Sequence, residues 1–104
     1  LSEKFYHPWH KFYPEKVSLS LDYPSKHLPE LLADIAKEYG DTDAYIFAGK
    51  NVTYREFNEQ VRKFATALDR LGVKKGDRVA LMAPNCPHFV ISYFAIMIIG
   101  AIVV

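Results

Sequence analysis

Four histidines, one cysteine and a scatter of carboxylates are the side chains in this sequence that could do chemistry. His7 and His10 stand three residues apart, a separation that could serve a metal ion. No Cys, Asp or further His supports them at ligand spacing, so packed or solvated imidazoles are the simpler expectation. Cys86 lies between Asn85 and Pro87 at a helix start, where a thiolate would be favoured. The one neighbouring base is His88, too close in sequence to be judged as a partner, and a structural thiol is expected. His27 reads as a polar residue opening a helix. Asp77, directly after Gly76, reads as a turn former rather than a catalytic carboxylate. Asn85 is the best local candidate for ligand contact. In open α/β sheets ligands bind where strands end and helices begin, and a helix N-terminus suits an anion. Yet its loop holds no glycine that would let a phosphate reach the backbone. No Gly-rich phosphate loop, zinc signature or Ser-His-Asp set occurs. Catalytic, cofactor-binding and metal residues are therefore all assigned as none.

The elements that would position these residues are plainer than the chemistry. Leu28, Leu31, Leu32, Ile35, Ala36 and Tyr39 share one helical face, with Pro29 in the first turn and Gly40 as the stop, predicting a helix over 28–39. Two short runs flanking Gly49-Lys50 predict a hairpin over 44–53. Thr53 and Glu56 form a capping box, and Tyr54, Phe57, Val61, Phe64, Ala65, Leu68 and Leu71 stripe the helix predicted over 54–71. The apolar run 78–83 predicts a strand that ends at Pro84, which cannot donate to a ladder. Asn85 as N-cap and Pro87 in the first turn open a helix over 86–99, apolar on nearly every side, and Gly100 ends it. The β-branched residues 101–104 predict a second strand, parallel to the first through a right-handed crossover. The fold class is α/β, with this βαβ unit in a layered domain. Residues 1–27, rich in aromatics and proline, read as an extended arm. It is expected to pack on its own domain, or, in an open alternative, to join a homodimer.

Formal charge is +1 on a chain that is half hydrophobic, so neither disorder nor nucleic-acid binding is indicated. The single cysteine excludes an internal disulfide and fits a reducing compartment. The first residues lack the apolar core of a signal peptide. No Asp, Glu, Lys or Arg follows Arg78. A strand and helix this apolar need cover on several sides, so the partners are expected from chain beyond these residues. Read without that cover, the uncharged run 89–104 leaves open a membrane span starting at Phe89, or a non-catalytic interaction module.

Thr53-Tyr54-Arg55-Glu56-Phe57, then Ala65, Leu68 and Leu71-Gly72-Val73, then Gly76-Asp77-Arg78-Val79-Ala80-Leu81, Pro84-Asn85-Cys86-Pro87, Ala95 and Gly100-Ala101-Ile102-Val103-Val104 follow one another in order. This ordered set resembles the beginning of the adenylate-forming enzymes: acyl-CoA synthetases, nonribosomal adenylation domains and luciferases. The lead-in, with Trp9, Tyr13-Pro14, Val17 and Leu21-Asp22-Tyr23-Pro24, looks like that of long-chain fatty acyl-CoA ligases. The resemblance implies that residues 28–104 begin the large N-terminal domain of a two-domain ligase. It implies a fatty acid substrate, with ATP, magnesium and coenzyme A used by the whole enzyme and none expected to bind these residues alone. The expected place is cytoplasmic, with a peripheral position at membranes left open. The family's phosphate-cradling loop, its adenine and magnesium motifs and its C-terminal lysine are absent, so no active-site residue is carried over. The segment is expected to be scaffold, inactive by itself.

Overall fold

The computed structural model describes residues 7–104. The start of the predicted arm, Phe5 and Tyr6 included, lies outside the described residues. After a 3₁₀ turn at Pro8–Phe12 come α1 (Leu28–Glu38), β1 (Asp43–Phe47), β2 (Lys50–Thr53), α2 (Tyr54–Arg70), β3 (Arg78–Val79), α3 (Pro87–Ile98) and β4 (Ile102–Val103).

The capping box forms as its sequence dictates. The Glu56 N–H donates to Thr53 Oγ1 at 3.3 Å, and the Thr53 N–H donates to Glu56 Oε2 at 2.8 Å. Two otherwise unpaired helix-end donors are satisfied reciprocally. From that start α2 buries Phe57, Val61, Ala65 and Leu68, a single stripe that packs on α3. The predicted stripe was wider at its edges. Phe64 stays 38% exposed, because Ala65, four residues after Val61, takes the contact position instead. Leu71 is 81% exposed: it is the cap residue, and Gly72 (φ +96°) then turns the chain away. Helix α1 lies against α2 and α3 and contributes Leu32 and Ala36 to the buried set, while Leu28 and Tyr39 remain about half exposed. Val52, Ala95, Ile96 and Ala101 complete the core with the α2 stripe.

The hairpin pairs Tyr45 with Val52, Ile46 with Asn51 and Phe47 with Lys50. Its turn is Ala48-Gly49, with φ of 50° and 76°, one position earlier than the expected Gly49-Lys50. A two-residue turn that matches strand twist needs positive φ at both central residues. Ala48 accepts that conformation, and Lys50 is freed to pair in the strand.

Strands β3 and β4 are parallel, with Arg78 opposite Ile102 and Val79 opposite Val103, and α3 is the crossover between them. The expected strand over 78–83 contracts to two residues because β4 offers only Ile102–Val103 as a ladder. One more bond, from the Leu81 N–H to the Val104 carbonyl at 2.9 Å, continues the pairing. The helix expected over 86–99 spans Pro87–Ile98, and its N-cap is Cys86, not Asn85. Pro87 explains the shift: a residue before proline is driven out of the helical region, and Cys86 is extended at φ −148°, ψ 167°.

α3 carries no charge on any face, yet among the described residues only its Ala95 and Ile96 are buried. Val90 and Ile98 are 36% and 40% exposed on its outer side. No helix among the described residues is long and apolar enough to cross a membrane. The span considered from Phe89 stops at Ile98, and the chain turns at Gly100 into the paired strand β4. The arm departs from a uniformly extended run through its 3₁₀ turn. Its packing on the body is not seen among the described residues: Trp9, Phe12, Leu21 and Tyr23 are 53%, 76%, 68% and 81% exposed.

Candidate functional site

The histidines and the aspartate resolve into local structure. The His7 N–H donates to His10 Nδ1 at 3.2 Å, and the His7 ring stacks on Trp9 at 4.4 Å. Among the described residues no three of His, Cys, Asp or Glu come together as a metal site. Asp77 Oδ2 accepts the Lys74 N–H at 2.7 Å, and the Asp77 N–H returns to the Lys74 carbonyl at 3.0 Å. This carboxylate closes the turn before β3. The His27 N–H donates to Glu30 Oε2 at 2.8 Å at the start of α1, so His27 does open a helix.

The strand-to-helix junction is the place where sequence reasoning put its best candidate. Asn85 is exposed there and Cys86 is half-buried, and no side chain caps the N-terminus of α3. His88, in the first turn of α3, is exposed. Beside the junction a cleft of about 540 Å³ opens between the hairpin and α3, walled by Tyr45, Phe47, Phe57, Cys86, Phe89 and Phe94, with Asn85 at one end. Phe57 stands edge-on to Tyr45 and to Phe94, at 5.6 and 5.7 Å between ring centres. No charged side chain lines this cleft. An anion bound there would meet neither a cation nor a glycine-lined backbone, whereas an apolar group would meet aromatic walls. The aromatic wall itself was not singled out in the sequence. Its members come from three separate elements, and no spacing announces that they converge.

A second cleft of about 560 Å³ lies among α1, α2 and the end of α3, with Arg62, Asn58, Glu30 and Asp69 around a floor that includes Met97 and Ile99. Two of its acids are already engaged, Glu30 with the His27 N–H and Asp69 with Lys74 Nζ at 2.8 Å. The remaining electrostatic features serve the fold. Hydrogen bonds from the Thr53 N–H, and then from its hydroxyl, hold the Glu56 carboxyl below its ordinary range. Burial, and secondarily the Glu56 charge, push the Tyr45 hydroxyl upward; it donates to Gln60 Oε1 at 3.3 Å. None of these groups combines a nucleophile, a base and a place for a reacting atom.

Residues 32–104 match the family described as AMP-binding enzyme. The chain is 41% identical over 97 residues to a long-chain-fatty-acid–CoA ligase of Bacillus subtilis, covering 93% of this chain and 17% of that protein. It is 38% identical over 84 residues to a crotonobetaine/carnitine–CoA ligase of Salmonella paratyphi A, covering 76% of this chain and 16% of that protein. Its fold is similar to that of an artificially fused adenylation–PCP di-domain from Klebsiella oxytoca, with a TM-score of 0.75, 35% identity, and coverage of 79% of this chain and 16% of the other. The chain thus spans about a sixth of the length of the curated relatives it matches.

Proposed function

Since the chain belongs to the family of AMP-binding enzymes, we propose that it is the N-terminal part of an ATP-dependent long-chain fatty acid–CoA ligase. In such an enzyme the fatty acid carboxylate attacks the α-phosphorus of ATP, and pyrophosphate leaves with the P–O bond electrons. The acyl-adenylate then meets the thiol of coenzyme A. The sulfur–carbon bond forms, AMP departs, and the thiol proton is lost to the medium or a base. Activation is needed because a carboxylate oxygen is a poor leaving group and AMP a good one.

The observation that carries the choice of acid is the extent of the match. Residues 28–104 leave a lead-in of 27 residues, so a 97-residue alignment with the long-chain ligase must run well into the arm. The alignment with the crotonobetaine/carnitine ligase leaves about a quarter of the chain unmatched. The α/β body is common to both similarities. The lead-in favours the long-chain acid.

Residues 28–104 are, on this reading, the beginning of the large N-terminal domain, and their role is scaffold. The uncharged outer face of α3 and the free edges of the β3–β4 pair are what the remainder of the parent chain covers. The described residues bring no set of carboxylates or imidazoles together that would hold magnesium, so no step is assigned to that ion here. ATP, coenzyme A and the acid are bound by other parts of the parent.

The test is ATP–pyrophosphate exchange driven by palmitate. The parent protein exchanges label, and residues 1–104 alone do not. Exchange by the isolated residues would overturn the scaffold role. A parent that activates carnitine-like acids and not palmitate would overturn the substrate class.

A further inference from the structure

We draw no further inference here: the strongest candidate, the uncharged aromatic cleft between the β1–β2 hairpin and the start of α3, walled by Tyr45, Phe57, Phe89 and Phe94, carries nothing, because nothing in the structure shows what covers it in a chain that spans about a sixth of its relatives' length.

Discussion

Phe57 is the point at which the hairpin, α2 and α3 meet, and its truncation is the sharpest test of the packing. The ring is 7% exposed and stands edge-on to Tyr45 (82°) and Phe94 (85°). Removing a buried phenylalanine side chain to alanine costs about 3–5 kcal/mol, in lost burial and in the cavity left behind. Each edge-on pair adds about 0.5–1.5 kcal/mol beyond its area. Phe57→Leu keeps most of the apolar volume and loses both ring pairs, so its cost is about 1–3 kcal/mol. Phe57→Ala loses volume as well, for about 3–4 kcal/mol. A single domain has only about 5–15 kcal/mol to lose, so the alanine variant is left marginal. Hydrogen exchange locates the damage. Amides of β1, β2 and α3 in the alanine variant exchange on the order of a hundred-fold faster or more, since about 1.4 kcal/mol is tenfold. A double-mutant cycle of Phe57→Leu with Phe94→Leu returns a coupling of about 0.5–1.5 kcal/mol. A stability shift of less than about 1 kcal/mol in Phe57→Ala, or equal costs for alanine and leucine, would refute this packing role for Phe57.

Other perturbations follow from single contacts. Thr53→Ala removes the N-cap acceptor of α2 and costs about 1 kcal/mol in urea unfolding. Glu56→Gln removes a group whose carboxyl is held low in the folded state by the Thr53 N–H and hydroxyl. Its contribution is present above the ordinary glutamate range and is lost as pH falls through the lowered folded value. The stability gap between parent and variant therefore closes in acid, and a pH-independent gap would contradict the assignment. Gly40→Ala drives a methyl to 2.6 Å from the Ala36 carbonyl oxygen and 2.7 Å from Arg55 Nη2. Arg55 can swing aside but the carbonyl cannot, so the loss is about 1–3 kcal/mol, read from the urea midpoint. Gly100→Ala pairs a left-handed φ of 74° with Lys75 Cγ at 3.0 Å, whereas Gly49→Ala meets nothing within 4 Å. The first therefore costs more than the roughly 1–2 kcal/mol of backbone preference that limits the second.

Much of the fold was legible because its signals are local. The Thr53–Glu56 box and the stripe from Phe57 to Leu68 fix α2 to within a residue at either end. The strand–helix–strand order between Arg78 and Val103 fixed a parallel pair, since a twelve-residue crossover helix leaves no other simple connection. Positions that went astray depend on a neighbour in space or on competition between adjacent residues. Asn85 is the better cap by type, but Pro87 acts on the residue before it, and that residue is Cys86. Ala48 is an unpromising turn residue, and only the pairing of Phe47 with Lys50 reveals why it takes a positive φ. The length of β3 was unreadable because residues 78–83 are apolar whether or not a partner strand faces them. Of the candidate site, the sequence was silent on the aromatic cleft, whose walls come from β1, α2 and α3.

A helix on the surface of a finished domain keeps an apolar stripe and sheds the rest of its hydrophobicity, as α2 does with Arg55, Glu59, Arg62 and Lys63 on its open side. α3 sheds nothing: residues 87–98 hold no Asp, Glu, Lys or Arg, although only Ala95 and Ile96 are buried by the described residues. Leaving Val90 and Ile98 partly in water forfeits burial worth about 25 cal/mol per Å², with no polar compensation on that face. The same holds for β4, where Ile102 is 48% exposed on a two-residue strand. Both features make physical sense in an interior layer, and the proposed parent ligase supplies that layer from the five-sixths of its relatives' length that this chain does not span. In such an arrangement the outer amides of α3 exchange slowly in the parent and quickly in the isolated residues. Equal protection in the two would mean that α3 is covered by nothing more than α1 and α2, and the layered reading would have to be abandoned.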